Sequence, residues 1–178
     1  MEIETFVHGA LCVAYSGQCL LSSMIGGRSG NRGQCAQPCR QRYTLIDRTT
    51  GQAFTEPAEG KYLLSTRDLM LLHELPALID AGITSLKIEG RMKRPEYVAT
   101  IVKHYRTAID QYAGGGALSK QADHEIRQIF NRDFTTGYYF GNPGRELMSY
   151  PRPDNRGIKL GDITYCRSHK LGVKLSEP

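Results

Sequence analysis

The sequence contains no apolar stretch near the eighteen or so residues that a membrane-spanning helix needs. Its start carries Glu2 and Glu4, which are atypical of a secretory signal peptide. The 178 residues are 40% hydrophobic and 23% charged, as in ordinary soluble globular proteins. The sequence therefore predicts a cytoplasmic protein with no membrane partner.

Motifs of well-known hydrolases are also missing. The chain has no Gly-x-Ser-x-Gly and no His-Glu-x-x-His, and no cysteine and histidine form a recognisable local pair. A proteolytic mechanism therefore has no visible nucleophile.

The most distinctive stretch is a cysteine-rich loop at residues 9–42. Four of the five cysteines lie in it, separated by six, fifteen and three residues, at Cys12, Cys19, Cys35 and Cys39. The loop is too polar and too glycine-rich to form a hydrophobic core of its own. Four thiolates converging on one inorganic centre would hold it, and soft sulfur ligands select zinc or iron–sulfur clusters.

The cysteine spacing narrows the choice of centre. It lacks the two short Cys-x-x-Cys knuckles of a zinc ribbon, and it is not the spacing of a bacterial ferredoxin. A cluster site and a set of plain thiols remain as alternatives. Cys166 lies far along the chain and is predicted to be a buried or free thiol.

Hydrophobic periodicity predicts the elements of the first half. Residues 3–7 alternate as a strand, a short helix is expected near 19–24, and 43–54 read as a β-hairpin turning at 49–51. Residues 62–64 are predicted to be a strand, followed by a helix capped by Thr66 that Pro76 breaks before 77–81.

The second half continues the alternation of strands and helices. We predict a strand at 83–88, a helix from Pro95 to Tyr112, a glycine hinge at 114–116 and a helix at 119–130 capped by Ser119. The expected buried stripe of the long helix is Val98, Ile101, Val102, Tyr105 and Ile109. Strand and helix in this order favour parallel βα units.

Polar side chains at strand ends are candidates for chemistry. Glu4 and His8 share one face of the first strand and are candidates for base, acid or ligand, although a lone histidine is commonly structural. Lys87, Glu89 and Arg91 are expected to lie along one line beside the next helix start. Ordinary ion pairing on a solvated face is the alternative interpretation of that line.

The formal net charge of +5 and the pI near 9.0 modestly favour an anionic partner. The cysteine loop and the Lys93 region carry the cations that are candidates for RNA or anion contacts: Arg28, Arg32, Arg40, Arg42 and Lys93.

Three ordered blocks carry a family resemblance. Residues 4–12 with 16–22, residues 85–93 (Ser-Leu-Lys-Ile-Glu-Gly-Arg-Met-Lys) and residues 130–138 resemble signatures of the collagenase-like peptidase family, number 32 among those of unknown catalytic type. That family also includes tRNA and ribosomal RNA hydroxylation proteins. The resemblance runs from about residue 2 to about residue 165.

The resemblance implies an α/β fold, the C-terminal part of a TIM-like βα barrel. A whole barrel needs about 250 residues and eight strands. The chain is therefore expected to be a fragment that lacks the remaining part of its own barrel. Residues 1–113 would be late βα units, 114–153 a helical and Gly/Pro/Tyr-rich linker, and 154–178 the truncated start of a small β domain.

The resemblance also implies an activity. It points to an iron–sulfur enzyme that hydroxylates RNA, namely a uridine of tRNA, with a [4Fe–4S] cluster on the four loop cysteines and prephenate as co-substrate. Some members carry a cysteine at the position of Met70, so the resemblance leaves Cys39 as the fourth ligand here. Zinc is the alternative metal.

The residues proposed for catalysis on this basis are Glu4, His8, Lys87, Glu89 and Arg91. Arg91, Lys87 or Lys93 would bind the carboxylates of a small dicarboxylate such as prephenate. Collagenase-like proteolysis is the first alternative function, and a non-catalytic RNA-binding or zinc module is the second.

Overall fold

The computed structural model describes residues 1–54, 61–115 and 120–176. These ranges form a mixed α/β structure with one four-stranded and one two-stranded sheet. The strands are β1 Glu4–Ala10, β2 Asp68–Met70, β3 Ser85–Ile88, β4 Phe134–Thr135, β5 Gly161–Arg167 and β6 Lys170–Leu175. The helices are α1 Leu21–Gly26, α2 Leu75–Asp80, α3 Pro95–Ala113 and α4 Lys120–Ile129.

The larger sheet has the strand order β3-β1-β2-β4. Strand β1 pairs in parallel with β3 and antiparallel with β2, and β2 pairs in parallel with β4. The prediction of parallel βα units is therefore confirmed for β1 and β3 and wrong for β1 and β2. The mixed sheet is what the described residues establish, and its closure into a barrel remains a prediction.

The strand predicted at 62–64 and the helix predicted to start at Thr66 are both wrong. The Ser65 N–H donates to the Tyr62 carbonyl in a turn, and the next residues form β2 instead. All three residues of β2 are buried, so the strand shows neither the alternation nor the length that would reveal it in the sequence. Pro76 opens α2 within its first turn rather than breaking a longer helix.

The long helix is confirmed, but its buried stripe is rotated. Ile101 and Tyr105 are buried as predicted, while Val98 and Val102 are 39% and 47% exposed. The stripe is completed instead by Tyr97, His104 and Ala108. Polar partners hold these inward positions: the Tyr105 hydroxyl donates to the Val7 carbonyl of β1 at 2.7 Å, and His104 lies 2.8 Å from the Glu125 carboxylate of α4.

The remaining elements follow the sequence closely. A single antiparallel bridge joins Ile46 and Ala53 across the turn predicted at 49–51. Helices α1 and α4 confirm the two shorter helical predictions, whereas the Ser119 cap lies outside the described residues. The β5–β6 hairpin provides strands in the C-terminal segment, where the start of a β domain was expected.

The hydrophobic core lies between the larger sheet and helices α2, α3 and α4. It is formed by Val7, Leu69, Met70, Leu71, Leu72, Leu75, Leu78, Tyr97, Ile101, Tyr105, Ala108, Ala122 and Ile126. Burial of these side chains fixes β1 and β2, and the cysteine loop leaves the sheet from the end of β1. None of the helices in the described ranges is long and apolar enough to span a membrane.

Gly9 is a position at which a side chain would disturb this framework. Its φ is +118°, and an added Cβ would lie 2.5 Å from the Glu89 carbonyl oxygen and 2.8 Å from the Glu89 Cβ. We expect Gly9→Ala to lower the free energy of unfolding by about 2 kcal/mol or more, through backbone strain and overpacking. Urea unfolding measures the effect.

Gly26→Ala is the matched control for Gly9→Ala. Gly26 ends helix α1, and an added Cβ there meets no atom within 4 Å. This change should be neutral or stabilise by up to about 1 kcal/mol. Equal unfolding midpoints for both variants would contradict the close approach of Gly9 to Glu89.

Candidate functional site

The four loop cysteines line one cavity of about 500 Å³. Cys12 follows β1, Cys19 precedes α1, Cys35 follows the 3₁₀ turn Gly30–Arg32, and Cys39 lies in the 3₁₀ turn Pro38–Arg40. All four are free thiols, as is Cys166, which lies on β5. The structure therefore brings together the four thiols that the sequence singled out, although they span 28 residues of chain.

The donor set of this cavity suits an iron–sulfur cluster or zinc, both of which prefer thiolates. Burial raises the pKa of the Cys39 thiol, Arg40 opposes this shift, and the neighbouring Cys12, Cys35 and Cys19 add to it. In the described ranges, no three His, Cys, Asp or Glu side chains already stand close enough to hold a metal ion. The four thiols fit an iron–sulfur cluster or zinc by the chemistry of their donor atoms.

Arg40 ties the two ends of the cysteine loop to the sheet. Its guanidinium donates to the Leu11 carbonyl at 3.2 Å, to the Ser65 hydroxyl at 2.9 Å and to the Thr66 carbonyl at 3.0 Å. The side chain is 8% exposed, and burial lowers its pKa to about 10, so it remains a cation at neutral pH. Arg40 thus joins the segment of Cys39 to the segment of Cys12.

Arg91 holds another part of the same loop. Its guanidinium donates to the Gly33 carbonyl at 2.7 Å, two residues before Cys35. Its own N–H lies 3.3 Å from a Glu89 carboxylate oxygen. The segment after β3 is therefore fastened to the cysteine loop.

A buried ion pair lies behind these contacts. Arg132 donates to one carboxylate oxygen of Asp68 through Nε at 3.0 Å and Nη2 at 2.5 Å. The two side chains are 6% and 4% exposed. This pair joins β2 to the segment before β4.

His8 is buried beside the sheet, with 1% exposure. Its ring lies among Tyr97, Tyr105 and Phe134, at centroid distances of 6.1, 5.6 and 5.7 Å. Burial, assisted by the nearby Lys93, lowers the pKa of His8 to about 3. The imidazole is therefore neutral at physiological pH.

The pKa of His8 predicts a pH-dependent stability. In the unfolded chain its pKa is about 6.5, so protons bind to the unfolded state first as the pH falls from 6.5 toward 3. The stabilising contribution is complete above pH 6.5 and is lost below it. Between pH 7 and pH 5, we expect His8 to account for about 2 kcal/mol of lost unfolding free energy.

Urea unfolding of the wild-type and His8→Phe chains at pH 7 and pH 5 tests this prediction. The pH-dependent loss should be about 2 kcal/mol smaller in His8→Phe. The same loss in both chains would show that His8 is not buried in its neutral form.

Glu4 and Lys87, which were also predicted to be site residues, do not line the cysteine cavity. Glu4 is at the opposite end of β1 from the cysteines, where its carboxylate accepts from the Ser85 hydroxyl at 2.8 Å and pairs with Lys87 at 3.4 Å. The hydrogen bond from Ser85 and the Lys87 ammonium lower the pKa of Glu4. Strand β3 ends at Ile88, so the alternation of side chains along the strand does not extend to Glu89 and Arg91. Lys87 pairs with Glu4, whereas the Arg91 N–H contacts Glu89.

The predicted RNA contacts divide by burial. Arg28 and Arg32 are exposed, and Arg42 donates to the Tyr62 hydroxyl at 3.2 Å while remaining at the surface. Arg40 as an RNA contact is wrong, because its guanidinium is buried and committed to protein oxygens. Lys93 is half-buried over the Phe130 ring, with its pKa lowered to about 8 by burial.

The sequence did not predict the roles of Asp68 and Arg132. Asp68 follows Arg67, and Arg132 stands between Asn131 and Asp133, so both positions look solvated in the sequence. Their partnership depends on contacts between residues 64 apart, which no local pattern reports.

The chain is similar in sequence to several known proteins. The chain is 42% identical over 155 residues to tRNA hydroxylation protein P1 of Bacillus subtilis, covering 84% of this chain and 37% of that protein. It is 42% identical over 145 residues to a collagenase of Porphyromonas gingivalis, covering 79% and 34%. It is 38% identical over 185 residues to the 23S rRNA 5-hydroxycytidine C2501 synthase of Escherichia coli, covering 99% and 28%.

The chain thus spans about a third of the length of these curated relatives. No solved structure matches it. The family model described as Peptidase family U32 matches residues 1–149, which include the cysteine cavity, the Arg91 block and the Asp68–Arg132 pair. This chain therefore belongs to peptidase family U32.

Proposed function

We propose that this chain is part of an iron–sulfur enzyme that hydroxylates RNA, with a uridine of tRNA as substrate. The observation that carries the proposal is the convergence of Cys12, Cys19, Cys35 and Cys39 on one cavity. The names of the tRNA and rRNA hydroxylation relatives support the reaction class. An RNA substrate makes the cytoplasm the proposed location.

The four cysteines would hold a [4Fe–4S] cluster, which would supply electron transfer or a Lewis-acidic iron. The protein side chains have separate tasks. Arg40 and Arg91 position the cysteine loop through Leu11 and Gly33. We assign to Arg91 and Lys93 the binding of the carboxylates of prephenate, the proposed co-substrate, through charge-assisted hydrogen bonds.

The proposal extends to the fold of the whole enzyme. We propose that the four-stranded sheet belongs to a TIM-like barrel, with chemistry at the strand ends from which the cysteine loop and the Arg91 segment leave. Both segments do follow strands, β1 and β3, that run in parallel and so end at one edge of the sheet.

Proteolysis is the second candidate function, favoured by the similarity to a collagenase. It requires a nucleophile or a catalytic metal with an activated water. His8, the histidine nearest the cysteine cavity in sequence, has its pKa lowered to about 3 by burial, so its imidazole is a weak general base for activating a thiol or a water. We therefore rank proteolysis below hydroxylation.

The test uses the full-length protein, purified without oxygen, with iron, sulfide and zinc counted. We expect iron and sulfide in the wild type. The Cys19→Ala variant should lack the cluster. It should also fail to restore tRNA hydroxylation when it is expressed in a strain that lacks the modification. Cys166→Ala is the matched control, because this exposed thiol lies on β5, outside the cavity.

Arg91→Ala separates the two functions further. It should abolish hydroxylation, since it removes both the bond to the Gly33 carbonyl and a proposed carboxylate contact. Unchanged hydroxylation in Cys19→Ala and Arg91→Ala, together with reproducible cleavage of gelatin by the pure protein, would reverse the ranking.

A further inference from the structure

A second cavity of about 470 Å³ adjoins the cysteine cavity. The two share Cys12, Val13, Tyr15 and Ser16 as lining residues. The second cavity is lined further by Phe6, His8, Glu89 and Tyr138. A ligand in this second cavity would therefore lie directly beside Cys12.

The hydrogen bonds of Tyr105 favour one tautomer of His8. The single hydroxyl hydrogen of Tyr105 is donated to the Val7 carbonyl at 2.7 Å. The hydroxyl oxygen accepts from the Leu71 N–H at 3.1 Å and lies 3.4 Å from Nδ1 of His8, toward which it has no further hydrogen to donate. We therefore assign the proton of the neutral ring to Nδ1, which leaves a lone pair on Nε2.

Nε2 is the unsatisfied atom of this ring. It is buried, and within the described part of the chain no protein group forms a hydrogen bond with it. A buried acceptor without a donor is costly, so a bound group that donates to it is favoured. Because His8 lines the second cavity, a ligand there could supply the missing N–H or O–H donor.

The walls of the cavity favour a planar ligand. Phe6 and Tyr138 are large aromatic side chains that remain 44% and 66% exposed. Exposed aromatic rings are the usual stacking partners of unpaired RNA bases. The cavity thus combines stacking surfaces, a neutral acceptor and a shared wall with the cysteine cavity.

We propose that the second cavity binds the target pyrimidine of RNA, with Nε2 of His8 accepting a hydrogen bond from the N3–H of uracil. The proposal rests on the proposed function for the nature of the substrate. His8 is assigned here as the residue that recognises the base, in place of the general acid or base role considered from the sequence. The geometry places the bound base beside Cys12.

The experiment uses the chain labelled with ¹⁵N in its histidines. Long-range ¹H–¹⁵N spectra at pH 7 report which ring nitrogen is protonated, and exposed His124 serves as an internal control. Uridine and 3-methyluridine are the probes, since the second lacks the N3–H donor. We expect a protonated Nδ1 on His8 and an Nε2 resonance that shifts with uridine.

Binding of 3-methyluridine should be weaker by about tenfold or more, because it leaves Nε2 unpaired. His8→Phe, if folded, should remove that preference between the two nucleosides. A proton on Nε2 in the free protein, or equal binding of both nucleosides, would overturn the proposal. Preferential binding of uridine without hydroxylation by the full-length protein would support the base site while rejecting the proposed function.

Discussion

Replacing Asp68 with asparagine is expected to lower the free energy of unfolding by about 3–5 kcal/mol. The change removes the negative charge that the Nε and Nη2 groups of Arg132 contact at 3.0 and 2.5 Å. With both side chains almost fully buried, the remaining guanidinium has no access to water to compensate. Urea unfolding at pH 7 measures the loss.

The surface pair of Arg106 and Asp110 is the control for Asp68→Asn. These side chains are also joined at 2.6 Å, but they are 59% and 65% exposed. Asp110→Asn should cost no more than about 0.5 kcal/mol. Similar costs for the two substitutions would mean that the Asp68–Arg132 pair is solvated rather than buried.

The second large effect is a loss of metal affinity, which we expect from the substitution Arg40→Gln. Arg40 bonds to Leu11 O, Ser65 Oγ and Thr66 O, and so sets the separation between the Cys12 and Cys39 segments. Glutamine is shorter, uncharged and unable to make all of these bonds. Loss of such a residue behind metal ligands typically costs 10–100-fold in affinity, and we expect an effect in this range.

Anaerobic titration of the reduced chain with Co²⁺, followed by thiolate-to-cobalt absorption, measures that affinity. Arg32→Gln is the matched control, since Arg32 lies in the same loop and is exposed. Its affinity should match the wild type. An unchanged affinity in Arg40→Gln would show that ligation itself, not Arg40, sets the position of the cysteines.

The sequence predicted the parts of this structure that depend on local chemistry. Pro95 and the apolar periodicity that follows marked α3, and the concentration of thiols in a coreless loop indicated their convergence. Both signals arise from neighbouring residues. The α/β class follows from such elements, so it could be predicted as well.

The parts that could not be predicted depend on distant partners. Asp68–Met70 forms a strand because β1 and β4 pair with it from both sides, although its leucines fit a helical pattern equally well. Arg40 resembles the other arginines of the loop until the fold buries it against Leu11 and Thr66. Composition predicts a cationic loop and cannot say which cation faces inward.

The bond from Arg91 to the Gly33 carbonyl has a consequence for building chimeras of this family. Gly33 has a φ of +73°, and an added Cβ would lie 2.4 Å from a terminal nitrogen of Arg91, which would have to move away from its present contact. The two segments therefore form one interlocking unit, although 58 residues separate them in the chain. A graft that transfers the cysteine loop to another scaffold must carry the Arg91 turn with it.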